Sequence, residues 1–406
     1  MANNNDNKVL NVPNLRFPEF CEEWYKVTLR QIASKINTKN KDNVISTVFS
    51  NSATQGIVLQ SAYFDKEIAN KDNLNGYFVV EPNDFVYNPR LSANAKVGAM
   101  SVNHTNKIGL VSPLYTIFRV NSSEIHIDFL ESIFKSNVWH SYMRSIANFG
   151  ARDDRMNIKN DDLFALPLSI TSIEEQRKIA KLLNITEERI ATQNKIIDRL
   201  QSLIKGLPHN IAELGLQNGC WEETLLSSVL VERKELNTEL HTVYSVSVSE
   251  GVVNQVEYLG RSFAAKDTSN YHVAKYGDIV YTKSPTGKFP YGIVKQSYIG
   301  VTAISPLYGV YSPISFEIGA YLHYYFMSAI SATNYLYPLI QKGAKNTINI
   351  SNQRFLENRV PMPIIKTEIC NTAKALKAIQ KKLSLEKKSL ALLITQRKFL
   401  LQQMFI

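Results

Sequence analysis

Long apolar runs are missing from this chain of 406 residues. The longest extend over a few positions, such as Leu390-Ala391-Leu392-Leu393-Ile394, far short of the roughly 18 residues a membrane span needs. The first thirteen residues are polar and Asn-rich, with no apolar stretch that would read as a signal peptide. The expectation is a soluble, cytoplasmic chain with no membrane partner. Cysteine is scarce as well. Cys21, Cys220 and Cys370 are far apart and form no CxxC pair; this excludes a disulfide framework and a cysteine zinc site, and predicts isolated buried thiols.

Signatures of catalysis are also absent. There is no GxGxxG, no GxxxxGK[ST] and no GxSxG, and the seven histidines never fall in HxxxH spacing. Asn88-Pro89-Arg90-Leu91 lacks the second proline and the aromatic of an adenine-methyltransferase loop. Ser284-Pro285-Thr286-Gly287-Lys288 lacks the spacing of a phosphate-cradling loop. Glu232-Arg233-Lys234 resembles half of a nuclease E-x-K without an upstream carboxylate, and reads as surface charge. The chain is expected to be non-catalytic, with no metal site and no cofactor of its own.

What is present is folded material and repetition. Hydrophobic residues make up 44% of the chain and aromatics 10%, enough for two or three cores. The net charge of +10 is concentrated at the end, where residues 366–406 hold nine basic and two acidic side chains. That balance favours a polyanionic partner without naming one. Ser112-Pro113-Leu114-Tyr115 recurs as Ser305-Pro306-Leu307-Tyr308, 193 residues later. Asp84-Phe85-Val86-Tyr87 is echoed by Asp278-Ile279-Val280-Tyr281, Gly150-Ala151 by Gly343-Ala344, and Asn157-Ile158 by Asn349-Ile350. Cys21, Trp24 and Leu29 agree loosely with Cys220, Trp221 and Leu225. Matches in order at nearly one offset mean internal duplication.

Each repeat is a globular stretch followed by a helix. The division predicted is a first domain over 1–171, a helix over 172–207, a second domain over 208–365 and a helix over 366–406. Strand-length runs at Asp84–Tyr87, Leu114–Val120, Asp278–Tyr281 and Gly292–Lys295, with helices at Phe129–Ile146 and Glu317–Ile330, make the fold class α+β. The long helices carry heptads. Ile179, Leu183, Ile190, Gln193, Ile197, Leu200 and Ile204 form one seam; Leu376, Ile379, Leu383, Glu386, Leu390, Leu393 and Leu400 form the other. A strict seven-residue period predicts a coiled coil. Antiparallel pairing is expected, with the globular domains at opposite ends. It would bring the polar seam residues Gln193 and Glu386 together to fix register, or leave both at a wet centre. Arg397 is a further interruption. Thr171-Ser172 and Thr367 are expected to cap the helices.

Two pairs of loops suit a nucleic acid. Asn88, Arg90 and Ser92 follow a strand in the first repeat, and Lys283, Ser284, Thr286 and Lys288 hold the equivalent place in the second. Arg152, Arg155 and Asn157 similarly match Lys345, Asn346 and Asn349. Arg and Lys reach guanine edges or phosphates, and Asn pairs with adenine. An ordinary polar turn is the competing reading of any one of them. As a set they keep their place while changing their residues, as two readers of two different sequences would.

Domain, helix, domain, helix within one chain of this length resembles the specificity (S) subunit of type I restriction-modification systems. Pro13-Asn14-Leu15-Arg16-Phe17-Pro18-Glu19-Phe20 with Trp24 is similar to that family's start. Leu166-Pro167-Leu168 before Glu174-Glu175-Gln176-Arg177-Lys178-Ile179, and Leu400-Leu401-Gln402-Gln403-Met404-Phe405, are similar to its helix start and terminus. Glu368-Ile369-Cys370-Asn371 departs by losing the Glu-Gln pair. The resemblance implies that each domain is a target-recognition domain reading half of a bipartite, asymmetric site in double-stranded DNA, in bacterial defence. It implies a coiled coil that sets the spacer and docks two modification (M) subunits, with two restriction (R) subunits beyond them. S-adenosylmethionine, ATP and Mg2+ would then belong to those partners. Lys374, Lys377, Lys381, Lys382, Lys387 and Lys388 would face M subunits, DNA phosphates or solvent. The competing class is an interaction scaffold whose domains bind protein.

Overall fold

A computed structural model describes residues 11–41, 43–63, 71–149, 154–342 and 348–406. Arg152, Lys345 and Asn346 lie outside the described residues. The chain divides into two compact units, residues 1–192 with 390–406, and residues 193–389.

Each unit holds the same antiparallel four-stranded sheet. In the first its spatial order is Ala33–Ile36, Thr116–Val120, Phe85–Asn88, Ala99–Val102. In the second it is Leu230–Glu232, Gly309–Pro313, Ile279–Tyr281, Val294–Gln296. Alternation explains the strand that carries Phe85-Val86-Tyr87. Phe85 and Tyr87 enter the main core, whereas Val86 points to a smaller cluster with Phe49 and Ile117. A second layer repeats too. Hairpin Phe49–Ser52/Gly56–Leu59 corresponds to Val243–Ser247/Gly251–Asn254, and each turns on a glycine at positive φ, Gly56 at 68° and Gly251 at 79°. A two-stranded ribbon closes each unit, Tyr25–Thr28 on Pro167–Ile170 and Trp221–Leu225 on Arg359–Pro363.

The repeated sequence marks have scaffold roles. Ser112-Pro113-Leu114-Tyr115 is a β-turn, the Tyr115 N–H donating to the Ser112 carbonyl at 3.0 Å; Tyr308 to Ser305 repeats it at 2.9 Å. Proline at the second turn position supplies the required φ. Asp84 and Asp278 precede their strands because their carboxylates are engaged: Oδ2 accepts the N–H three residues back, at 2.8 Å in both copies. An arginine completes each, but from a different strand. Arg119 Nε reaches Asp84 at 2.7 Å, and Arg233 Nε reaches Asp278 at 2.6 Å. Arg233 is thus an inward-facing partner of a buried carboxylate, which corrects its reading as surface charge. In the approximate alignment at the domain starts, the buried counterpart of Leu29 is Leu226, and Leu225 is exposed.

The single helices expected at Phe129–Ile146 and Glu317–Ile330 are each two. In the first unit Ile127–Lys135 stops where the Trp139 indole N–H bonds the Phe134 carbonyl at 3.1 Å, and His140–Ile146 follows. In the second, Phe316–Tyr325 ends before Ser328, whose hydroxyl caps Ala329–Leu336. Cys21 and Cys220 are exposed and Cys370 half-buried, against the expectation of buried thiols; none of the three sits in a core-facing strand or seam position.

The long helices run Ile173–Gln217 and Lys366–Gln403. Ser172 caps the first, its hydroxyl accepting the Glu175 N–H at 3.4 Å, whereas the second begins at Lys366 and so contains Thr367. The first continues through Pro208 to Gln217, beyond the expected end at 207. Interior proline costs about 3 kcal/mol. Burial in the last turns offsets that cost: Ile211, Ala212 and Leu216 join the second core, and a Cβ at Gly215 would fall 2.2 Å from the Trp221 ring.

Ile179, Leu183, Ile190, Ile197, Ile204, Leu376, Leu383 and Leu400 are buried. Gln193, Leu200, Ile379, Glu386, Leu390 and Leu393 are half-buried. Within the first unit, Arg397 Nε pairs with Glu187 Oε1 at 2.9 Å while Leu183 clusters with Leu400 and Met404. Within the second, Ile204 packs on Leu376 and Ile379, and Gln193 donates to the Glu386 carboxylate. In both segments rising numbers on one helix meet falling numbers on the other, as antiparallel pairing requires. Leu400, Leu401, Met404 and Phe405 enter the first core, where Phe405 packs on Phe129 at 5.7 Å between ring centroids, and the Leu15 N–H donates to the Gln403 carbonyl at 2.9 Å.

The Glu-Gln pair at the first helix start has a structural use. Arg16 grips the buried Glu175 through two bonds of 2.7 Å. Gln176 accepts the His126 N–H at 2.9 Å and donates to the carbonyls of Glu124 and Thr171, both at 2.8 Å. In the second copy Ile369 stands at Gln176's place and joins the apolar core, so a polar tie is exchanged for burial.

Candidate nucleic-acid interface

In both units the loop that joins the last two strands of the four-stranded sheet, Phe85–Asn88 to Ala99–Val102 and Ile279–Tyr281 to Val294–Gln296, is anchored at its ends. The first loop spans 89–98. The Tyr87 hydroxyl donates to the Val97 carbonyl at 2.9 Å. Gly98 sits at φ 85°, and a Cβ there would come within 2.5 Å of the Asn88 carbonyl oxygen. The second spans 282–293 with the same devices. The Tyr281 hydroxyl donates to the Tyr291 carbonyl at 2.7 Å; Gly292 sits at φ 100°, where a Cβ would meet the Lys283 nitrogen at 2.8 Å. Burial pushes both tyrosine pKa values upward, so these anchors stay protonated donors.

Asn88 is half-buried, and its amide is engaged on both sides: Nδ2 donates to the Asn51 carbonyl at 3.1 Å, and Oδ1 accepts the Arg90 N–H at 3.0 Å. It shapes the loop. Arg90 and Ser92 are exposed. In the second copy Ser284, Thr286 and Lys288 are exposed around a turn in which Thr286 and Phe289 exchange backbone hydrogen bonds. Lys283 is half-buried at φ 59°, a left-handed conformation uncommon for a side chain other than glycine. Desolvation lowers its pKa, against a smaller raising effect of Glu232.

Of the other candidates, Asn157 and Asn349 each lie in a strand of a small hairpin, and Arg155 immediately precedes the first of these strands. Asn148–Phe149 pairs with Met156–Asn157, and Gln341–Lys342 with Ile348–Asn349. In the first unit this hairpin lies beside the 89–98 loop. The Leu91 N–H donates to the Asp154 carbonyl at 2.8 Å and the Met156 N–H to the Pro89 carbonyl at 3.0 Å, with Arg90 bridged to Arg155. The structure therefore brings Arg90, Arg155 and Asn157 to one edge, with Asp154 4.0 Å from the Arg90 Nε. Two contributors escaped the sequence. Tyr115 faces Arg90 and Arg155; its pKa is raised by burial and eased back by Ser50 and the two arginines. Asn51 is buried and ties the neighbouring hairpin to the Val86 and Ala99 carbonyls at 2.7 and 3.1 Å. An asparagine within a strand of mostly buried positions was the available signal.

Among the described residues no group of three or more His, Cys, Asp or Glu side chains is placed to hold a metal ion, and no helix is long and apolar enough to cross a membrane. No family model and no curated protein matches the chain in sequence. Solved structures do. The S subunit of a type I restriction-modification system from M. genitalium superposes with a TM-score of 0.58 at 16% identity, over 97% of this chain and 99% of that one. A structure addressing complex assembly and conformational transition of the type I R-M system gives 0.51 at 13% identity, over 94% and 97%. Over nearly its whole length, then, the chain has the fold of a type I restriction-modification S subunit.

Proposed function

We propose that this chain is the DNA-specificity subunit of a type I restriction-modification complex, each domain reading one half of a bipartite, asymmetric target. The observation that carries this reading is the pair of equivalent loops. Their anchors are the same in both units, Tyr87 with Gly98 and Tyr281 with Gly292, while their exposed tips differ: Arg90 and Ser92 against Ser284, Thr286 and Lys288. A preserved mount with altered tips is what two readers of different base pairs require. On this reading the paired helices set the spacer and dock two M subunits. Those partners and two R subunits supply S-adenosylmethionine-dependent methylation and ATP- and Mg2+-dependent cleavage, and the chain itself catalyses neither.

Mapping methylated adenines across the genome of cells with and without this gene tests the reading. A bipartite motif that disappears with the gene is expected. Exchange of residues 1–171 for those of another S subunit should then change one half-site and leave the other intact. Loss of no motif, or alteration of both halves by the exchange, would refute it.

A further inference from the structure

Where the 89–98 loop meets the small hairpin of the first unit, the backbone sets two arginines against each other. The Leu91 N–H donates to the Asp154 carbonyl and the Met156 N–H to the Pro89 carbonyl. These bonds flank Arg90 and Arg155, which stand opposite each other in antiparallel sense. In such a pair, without hydrogen bonds of its own, both side chains leave on one face with Cβ atoms about 4.5–5.5 Å apart. Like charges so placed destabilise the pairing. An acceptor lying over the two side chains relieves the repulsion.

One carboxylate is already at hand. Asp154 Oδ2 lies 4.0 Å from Arg90 Nε, with the arginine side chain 66% and the aspartate side chain 49% exposed. At that separation and exposure the pair adds little stability. Its effect is on orientation and choice of ligand. The carboxylate draws the Nε edge of the guanidinium and leaves the two outer amino groups for a ligand. It also repels a phosphate approaching Arg90, whereas the O6 and N7 acceptors of guanine carry no net charge. The backbone under Arg90 is held as well. Its N–H donates to Asn88 Oδ1 at 3.0 Å, and Asn88 Nδ2 is tied to the Asn51 carbonyl at 3.1 Å. A long side chain on a fixed mount has less freedom to lose on binding. The second copy has none of this charge. The offset that aligns Tyr87 with Tyr281 puts Ser284 at the place of Arg90, and Asn346-Thr347-Ile348-Asn349 aligns with Asp154-Arg155-Met156-Asn157.

We propose that Arg90 reads a guanine in the half-site of the first unit, with Asp154 positioning its guanidinium and Arg155 meeting a neighbouring backbone phosphate. This rests on the DNA-reading role and names a base for one half of the target; the second half-site is read without such an element.

Methylome mapping of variants tests it, with the second half-site as an internal control of folding and assembly. The half-site that changes when residues 1–171 are exchanged should contain a G·C pair. Arg90→Gln should relax that one position, its preference for guanine falling roughly 10-fold or more, and leave the others intact. Asp154→Asn should relax the same position and Asp154→Glu restore it, since a carboxylate that only balanced surface charge would not act on a single base pair. Arg155→Gln should keep the motif and lower the salt slope of duplex binding by about one unit. If Arg90→Gln abolishes methylation outright, Asp154→Asn decides. The proposal is overturned if the first half-site holds no G·C pair, or if Arg90→Gln or Asp154→Asn leaves the motif as sharp as before or weakens all sites alike. An unchanged salt slope in Arg155→Gln overturns it too. In each of these cases the motif still depends on the gene and the DNA-reading role stands, whereas a motif independent of the gene removes both.

Discussion

Gly98 and Gly292 illustrate how much of the two equivalent loops rests on single positions. Each has a positive φ and a backbone atom where a side chain would begin. Gly292→Ala is expected to cost about 1–3 kcal/mol, read by chemical denaturation, because it combines strain with close approach. On the DNA-reading model it should blur the second half-site and spare the first. His104 carries a pH dependence. The hydrogen bond it donates to Glu131 raises its pKa above 6.5 in the folded chain. A raised histidine pKa contributes stability that is complete below 6.5 and lost as the pH climbs through the folded value. Glu131 itself is opposed by desolvation, yet His104 and Lys135 bring it below the usual carboxylate range, so its contribution falls away only in acid. The unfolding temperature should therefore drop as the pH rises above 6.5, and His104→Gln should flatten that drop in a melting series.

At the scale of elements, the helices were the most legible part of the sequence. A heptad is a local pattern, and the burial along Ile179–Ile204 and Leu376–Leu400 follows it position by position. The breaks after Lys135 and Tyr325 were not legible, because they depend on an indole reaching back to Phe134 and on a serine cap inside an apolar run. The exchange of Arg119 for Arg233 was hidden for a related reason: the same carboxylate is met from different strands, and no local spacing encodes it. Of the candidate interface, the loop positions could be found by comparing copies, whereas Tyr115 and Asn51 needed the third dimension. The helices also give a metric test. Seven residues inserted in each helix, near Gln193 and near Glu386, add about 10 Å at 1.5 Å per residue, or about three base pairs at 3.4 Å. Methylome mapping should show a spacer about three base pairs longer between unchanged half-sites.

At the scale of the whole chain, the two units are built differently from the same parts. The second uses one continuous stretch, 193–389, while the first joins 1–192 to 390–406. Deleting residues 401–406 removes Leu401, Met404 and Phe405, all buried in the first core. At about 1.5–3 kcal/mol for each buried apolar side chain, the first unit should lose several kcal/mol. Limited proteolysis is expected to cut within residues 1–192 of the shortened chain and to leave the 193–389 fragment resistant.

The seating of Phe405 against Trp24 and Phe129 also has a consequence for biosynthesis. Domains generally fold in the order in which they leave the ribosome. Here the domain born first must wait for residues 390–406 to be translated, whereas the domain born second already has every residue it needs. A stalled or prematurely stopped message would thus yield a chain whose later half is finished and whose earlier half is not.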